Sequence, residues 1–61
     1  MIAVGIDVSK SKSTVAILNS DGSQRIKPYD MKHNHPEMNA LINYLNELDE
    51  PIIILMEYTG H

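Results

Sequence analysis

The amino-acid sequence predicts an α/β fold in which three strands in a meander are followed by one helix and a fourth strand, βββαβ, forming a mixed sheet. Three observations predict it. Met1 to Val8 and Ile52 to Met56 are nearly continuous in apolar, largely β-branched residues, and a carboxylate stands at the end of each run, Asp7 and Glu57. Asn19-Ser20-Asp21-Gly22-Ser23 is a turn signal between two β-rich stretches. Beyond Pro36, apolar residues recur at spacings of three and four as far as Leu48.

Each element follows from its residues. In the first strand Ile2, Val4, Ile6 and Val8 occupy one face, while Ala3, Gly5 and Asp7 occupy the other. Its apolar character predicts a central strand covered on both faces. Ser9 to Ser13 reads as a tight connection and Thr14 to Leu18 as the second strand. The Asp-Gly pair of the following turn supplies the positive φ that hairpin loops need. Gln24 to Tyr29 is the returning strand, more polar and nearer an edge. Pro36 suits the first helical position, with Asn34 or His35 at the cap. Met38, Leu41, Ile42, Leu45 and Leu48 form one apolar stripe and are assigned to the core, and Pro51 ends the helix. Ile52 to Met56 then reads as a second strand covered on both faces.

Composition narrows the function classes. With 43% hydrophobic and 21% charged residues, the 61-residue chain is a globular segment rather than a disordered tail. A chain this short buries only about 60% of its unfolded surface, so its core is thin. There is no cysteine, which excludes a disulfide framework and thiolate metal ligation. The longest apolar run is far too short to span a bilayer and no signal-peptide pattern opens the chain, so a soluble, cytoplasmic protein is expected. The net charge of −3 lacks the basic footprint of a module built to grip nucleic-acid backbone. The first thirty-two residues carry +2 and the remainder −5, mostly a solvated acidic helix face.

The two strand-end acids carry the chemistry. If the fourth strand pairs parallel with the first across the helical crossover, the sheet order is 3-2-1-4 and Asp7 and Glu57 stand side by side at one sheet edge. Adjacent strands lie about 4.8 Å apart. Two carboxylates that close repel, and a hard divalent cation with oxygen ligands, Mg2+ or Mn2+, relieves the repulsion. Such ions, normally as a pair, activate water and stabilise the leaving oxygen in phosphodiester chemistry. Two carboxylates are too few for two ions, so further ligands are expected beyond His61. The plainer reading of each acid is a solvated loop residue or the cap of a following helix.

Gly5-Ile6-Asp7-Val8-Ser9-Lys10, with Thr14 to Leu18 after it, and Met56-Glu57-Tyr58-Thr59-Gly60-His61 together resemble the N-terminus of DEDD transposases of the insertion sequence 110 type. The resemblance covers essentially the whole chain. It implies a ribonuclease-H-like, RuvC-like partial domain, residues 1–61 being its N-terminal part. It also implies an Asp-Glu-Asp-Asp tetrad, with Asp7 matching the first member and Glu57 the second. DNA strand cleavage and exchange, a structured guide RNA, homo-oligomerisation and a separate domain with a nucleophilic serine belong to the full-length protein. Ser9, Ser11 and Ser13 do not take that serine role, and this chain by itself is expected to be inactive. Tyr58 stands where the family pattern has a small residue.

Other residues admit bland readings beside sharper ones. Lys10 and Lys12, in the loop nearest Asp7, could meet a nucleic-acid phosphate, although lysines there commonly only solvate a turn. His33 and His35 lack a third nitrogen or sulfur ligand, so helix capping or exposure is the expectation for them. His61 has exposure as its default. Tyr29, Tyr44 and Tyr58 are too dispersed for a base-stacking platform. A rival reading, the ATP-binding segment of an actin-like or sugar-kinase fold, shares the topology. That fold's Asp-x-Gly-Thr loop needs glycine where Ser9 stands. An inactive remnant of a mobile element is the non-enzymatic alternative. Because a further strand is expected beyond the fourth and is missing here, Ile52 to Met56 is expected to be an exposed apolar edge and to self-associate.

Overall fold

The computed structural model of the chain describes residues 1–59. Five elements follow one another: β1 (Ile2–Val8), β2 (Lys12–Leu18), β3 (Gln24–Lys32), α1 (His35–Glu47) and β4 (Ile52–Tyr58). The strands form one mixed sheet in the order β3-β2-β1-β4, with β1 antiparallel to β2 and parallel to β4. This is the predicted α/β order, and it is consistent with a partial ribonuclease-H-like domain.

Local chemistry sets the connections. Ser9 closes the first turn twice, its N–H and its Oγ both donating to the carbonyl of Lys12 at 2.9 and 2.7 Å. That closure starts β2 at Lys12, two residues earlier than the apolar pattern indicates, and draws Ser13 into the sheet. In the second turn Gly22 takes φ 89°, and the Asp21 carboxylate accepts from the N–H and hydroxyl of Ser23. β3 runs to Lys32, three residues beyond the expected strand, because the long hairpin keeps Asp30, Met31 and Lys32 opposite β2.

Asn34 is the N-cap of α1, accepting from the N–H of Glu37 at 3.0 Å, so His35 and Pro36 fill the first two helical positions. Glu37 reaches back and accepts from the N–H of Lys32 at 3.1 Å, fixing how the chain turns from β3 into the helix. A cap of this kind contributes about 1 kcal/mol. The helix stops at Glu47, before Pro51, and Asp49 takes the left-handed conformation (φ 52°) that turns the chain toward β4.

The core lies on one face of the sheet, where Ile2, Val4, Val15, Ile17 and Met31 meet Leu41 and Leu45 of α1. Three expectations are corrected here. β1 and β4 are not covered on both faces: Asp7 is exposed, and Ile53 to Tyr58 are exposed throughout. Met38 and Ile42 are not core residues but 44% and 53% exposed. The reason is shared. The single helix leans over the β2–β3 side, where Tyr44 accepts from Arg25 Nε at 2.9 Å, and does not reach across β4. Met38 and Ile42 therefore line an open apolar groove with Ile54 and Met56, and the opposite face of the sheet is bare among the described residues.

Candidate metal centre

β1 and β4 run parallel with Asp7 and Glu57 as direct partners in the register. Partners in a ladder project to the same face, so the two side chains rise together from neighbouring strands, whose backbones lie about 4.8 Å apart. That face is the bare one, since the neighbours of Asp7 in the chain, Ile6 and Val8, belong to the helix-covered side. Both acids are exposed, and they border a shallow recess floored by Gly5, Ala16 and Leu55.

Two residues from the sequence motifs lock this geometry. Ser9 closes the turn after Asp7. Thr59 donates to the carbonyl of Val8 through both its N–H (3.0 Å) and its Oγ1 (3.2 Å), tying the end of β4 to the end of β1. Glu57 is thereby held level with Asp7 by hydrogen bonds one step beyond the pair. Gly60 and His61, the last residues of the second motif, lie outside the described residues.

The register carries the row further than sequence reasoning did. Asp7 faces Thr14 on β2, and Thr14 faces Asp30 on β3, so Glu57, Asp7, Thr14 and Asp30 form one line across the bare face. The alternation Val15, Ile17 against Thr14, Ala16 could have shown Thr14 on this face. Asp30 was not legible, because β2 and β3 shift register between Val15 and Leu18.

Lys12 departs from its expected place. It belongs to β2 rather than to the loop, and its Nζ lies 2.8 Å from Asp30 Oδ2, so it is engaged by a carboxylate rather than standing free beside Asp7. Lys10 remains in the exposed turn. The hydrogen bond from Lys12, with its charge, holds the Asp30 carboxyl below its ordinary value of 3.8, and Thr14 Oγ1 adds a longer bond at 3.4 Å. A lowered folded-state pKa gives stability that is present above the unfolded value and is lost as pH falls through the folded value. The Asp30 carboxyl is therefore expected to titrate below pH 3.8 by NMR, and Lys12→Met should move its midpoint upward. An unchanged midpoint would dismiss the ion pair as the cause.

His33 and His35 do not converge on the acids. His33 Nε2 shares a hydrogen bond of 2.9 Å with Ser13 Oγ, a buried hydroxyl on the helix-covered side, and His35 is exposed in the first turn of α1. Among the described residues no group of three or more His, Cys, Asp or Glu side chains is placed to hold a metal ion. A pair of carboxylates is nevertheless a fitting donor set for magnesium, which retains several waters and is bound through one or two carboxylates plus substrate phosphate oxygens. No helix of the described residues is long and apolar enough to cross a membrane.

A family model for DEDD transposases of the insertion sequence 110 type, described as Transposase, matches residues 4–61. No curated protein and no solved structure matches the chain.

Proposed function

Because the chain belongs to the family of DEDD transposases of the insertion sequence 110 type, we propose that it contributes two carboxylate ligands, Asp7 and Glu57, to the metal-dependent nuclease site of a DNA recombinase. The observation that carries the reading is the parallel register that sets these two acids side by side on the uncovered face. Bound there, Mg2+ or Mn2+ supplies charge neutralisation and water activation for phosphodiester cleavage. The chain's own residues do the rest. Asp7 and Glu57 hold the cation, Ser9 and Thr59 fix the strand ends that carry them, and Gly5, with no side chain, and Ala16, with only a methyl group, leave the recess open to a nucleic-acid backbone.

In this reading the remaining tetrad members, and with them a second ion, are contributed by sequence outside these 61 residues, so the chain alone does not cleave DNA. Lys10, exposed in the turn after Asp7, is the lysine available for a DNA phosphate, whereas Lys12 serves Asp30. DNA is the substrate, a structured guide RNA the partner and the cytoplasm the compartment. The ATP-binding alternative has no support: Ser9 occupies the glycine position and closes the turn through its side chain.

Titration with Mn2+ tests the site directly. Paramagnetic broadening in NMR spectra is expected to centre on Asp7 and Glu57 and to vanish in Asp7→Asn. Broadening centred on Asp49 and Glu50, the other exposed acidic pair near β4, would overturn the assignment.

A further inference from the structure

The line of Glu57, Asp7, Thr14 and Asp30 is followed, toward the turn after β1, by a basic row on the same face. Lys12 and Lys32 are direct partners in the β2–β3 ladder, two residues along from the partners Thr14 and Asp30. Ser13 and Met31, between the two rows, are buried on the helix-covered side, so strand alternation sets both lysines on the face of the acids. Lys10 is exposed in the turn at the same end of the sheet. Three of the five Lys and Arg residues thus gather beside the acid pair in a chain whose net charge is −3. A general basic excess does not explain that placement.

Like charges directly opposite one another destabilise a ladder, and this pair is only half relieved. Lys12 Nζ turns diagonally to Asp30 Oδ2, 2.8 Å away. That contact is the one ion pair among the described residues, and it leaves the Lys32 ammonium without a carboxylate partner among them. Glu37 does not serve as one, because its two oxygens accept from the Lys32 backbone N–H and from the Asn34 side chain. An anion meeting Lys32 on this face would remove the repulsion that the ladder otherwise carries. Along the strands the basic row lies about 7 Å beyond the acids, and β3 lies about 10 Å from β1 across the sheet. A polyanion with one charge held at the acid pair through a cation would bring its neighbouring charges over the lysines.

We propose that Lys32 binds a backbone phosphate of the DNA strand, flanking the phosphate at the Asp7–Glu57 site, with Lys10 beside it. The inference rests on the nuclease reading of that acid pair and adds the direction in which the strand leaves it, across β2 and β3 at the end where β1 finishes. Asp30 has a separate part: it neutralises Lys12, so that two lysines can stand opposite each other before DNA arrives. Lys32 is a positioning residue, since it holds a neighbouring phosphate and not the reacting one.

DNA binding by the complete transposase, measured by fluorescence anisotropy across a salt series, reads the contact. An Asp7→Asn background keeps the strands uncut. Loss of one phosphate contact lowers the slope of log Kobs against log salt by about 0.9 for a duplex and about 0.7 for a single strand. Lys32→Gln is expected to lower the slope by that amount, to weaken binding to all sequences alike, and to keep or raise the thermal midpoint, because a like-charge pair is removed. Lys32→Arg should retain the slope, and Lys27→Gln, farther back along the same strand, should leave it unchanged. Asp30→Asn, which frees Lys12, should strengthen binding. An unchanged slope in Lys32→Gln would overturn the inference, and a thermal midpoint that falls with it would mean that an acid elsewhere in the complete protein pairs with this lysine. Weakened binding of guide RNA with DNA binding intact would overturn it as well. The metal assignment fails on a different result, cleavage by Asp7→Asn at the wild-type rate.

Discussion

Alanine at Asp7 or at Glu57 in the complete transposase is expected to lower DNA strand exchange by at least about 10²-fold, more than the 10–100-fold typical of losing a group that only supports a metal ligand. The expectation rests on charge. In the proposed site each acid would supply half of the negative charge offered to the cation, and its partner on the neighbouring strand could not supply the missing oxygens. Glu57→Gln should fall nearly as far as Glu57→Ala, because the amide keeps the shape and loses the charge. Thr14→Ala, in the same row but without a charge, should retain most of the activity. A strand-exchange assay with purified protein reads all four variants, and wild-type activity in either alanine variant would remove the catalytic assignment.

Ile17→Ala is expected to remove a large share of the chain's stability. Ile17 is 1% exposed and packs with Val4, Val15, Leu41 and Leu45 in the one core. Truncating a buried isoleucine costs about 2–5 kcal/mol. At roughly 0.05–0.15 kcal/mol per residue, a chain of this length has on the order of 3–9 kcal/mol in all. Ile42→Ala, the same chemical change at a half-exposed site, should cost less than about 1 kcal/mol. Urea midpoints measured where the chain is monomeric compare the two. Equal losses would mean that the groove beside β4 is packed as tightly as the core.

These contrasts mark where sequence reasoning succeeded and where it stopped. The order of elements, the Asp-Gly turn and the helix cap were legible because each depends on neighbours within a few residues. The pairing of Asp7 with Glu57 was legible too, since two similar strands joined by a helix admit few topologies. Asp30 was missed because a register shift in the β2–β3 hairpin is set by the whole ladder and not by any local pattern. Lys12 was misplaced for a related reason, as the turn closed by Ser9 starts β2 earlier than the apolar alternation does.

By itself, then, the sequence determined which residues form strands and helix and which two acids end the apolar runs, because backbone preference and side-chain periodicity are properties of adjacent residues. Tertiary structure alone decided which apolar residues are covered. Ile17 and Ile42 are the same residue type on regular elements, yet one is sealed and the other open. A hydrophobic side chain records only that burial would be favourable, and whether it is buried depends on the reach of one thirteen-residue helix laid over the β2–β3 side of the sheet and away from β4.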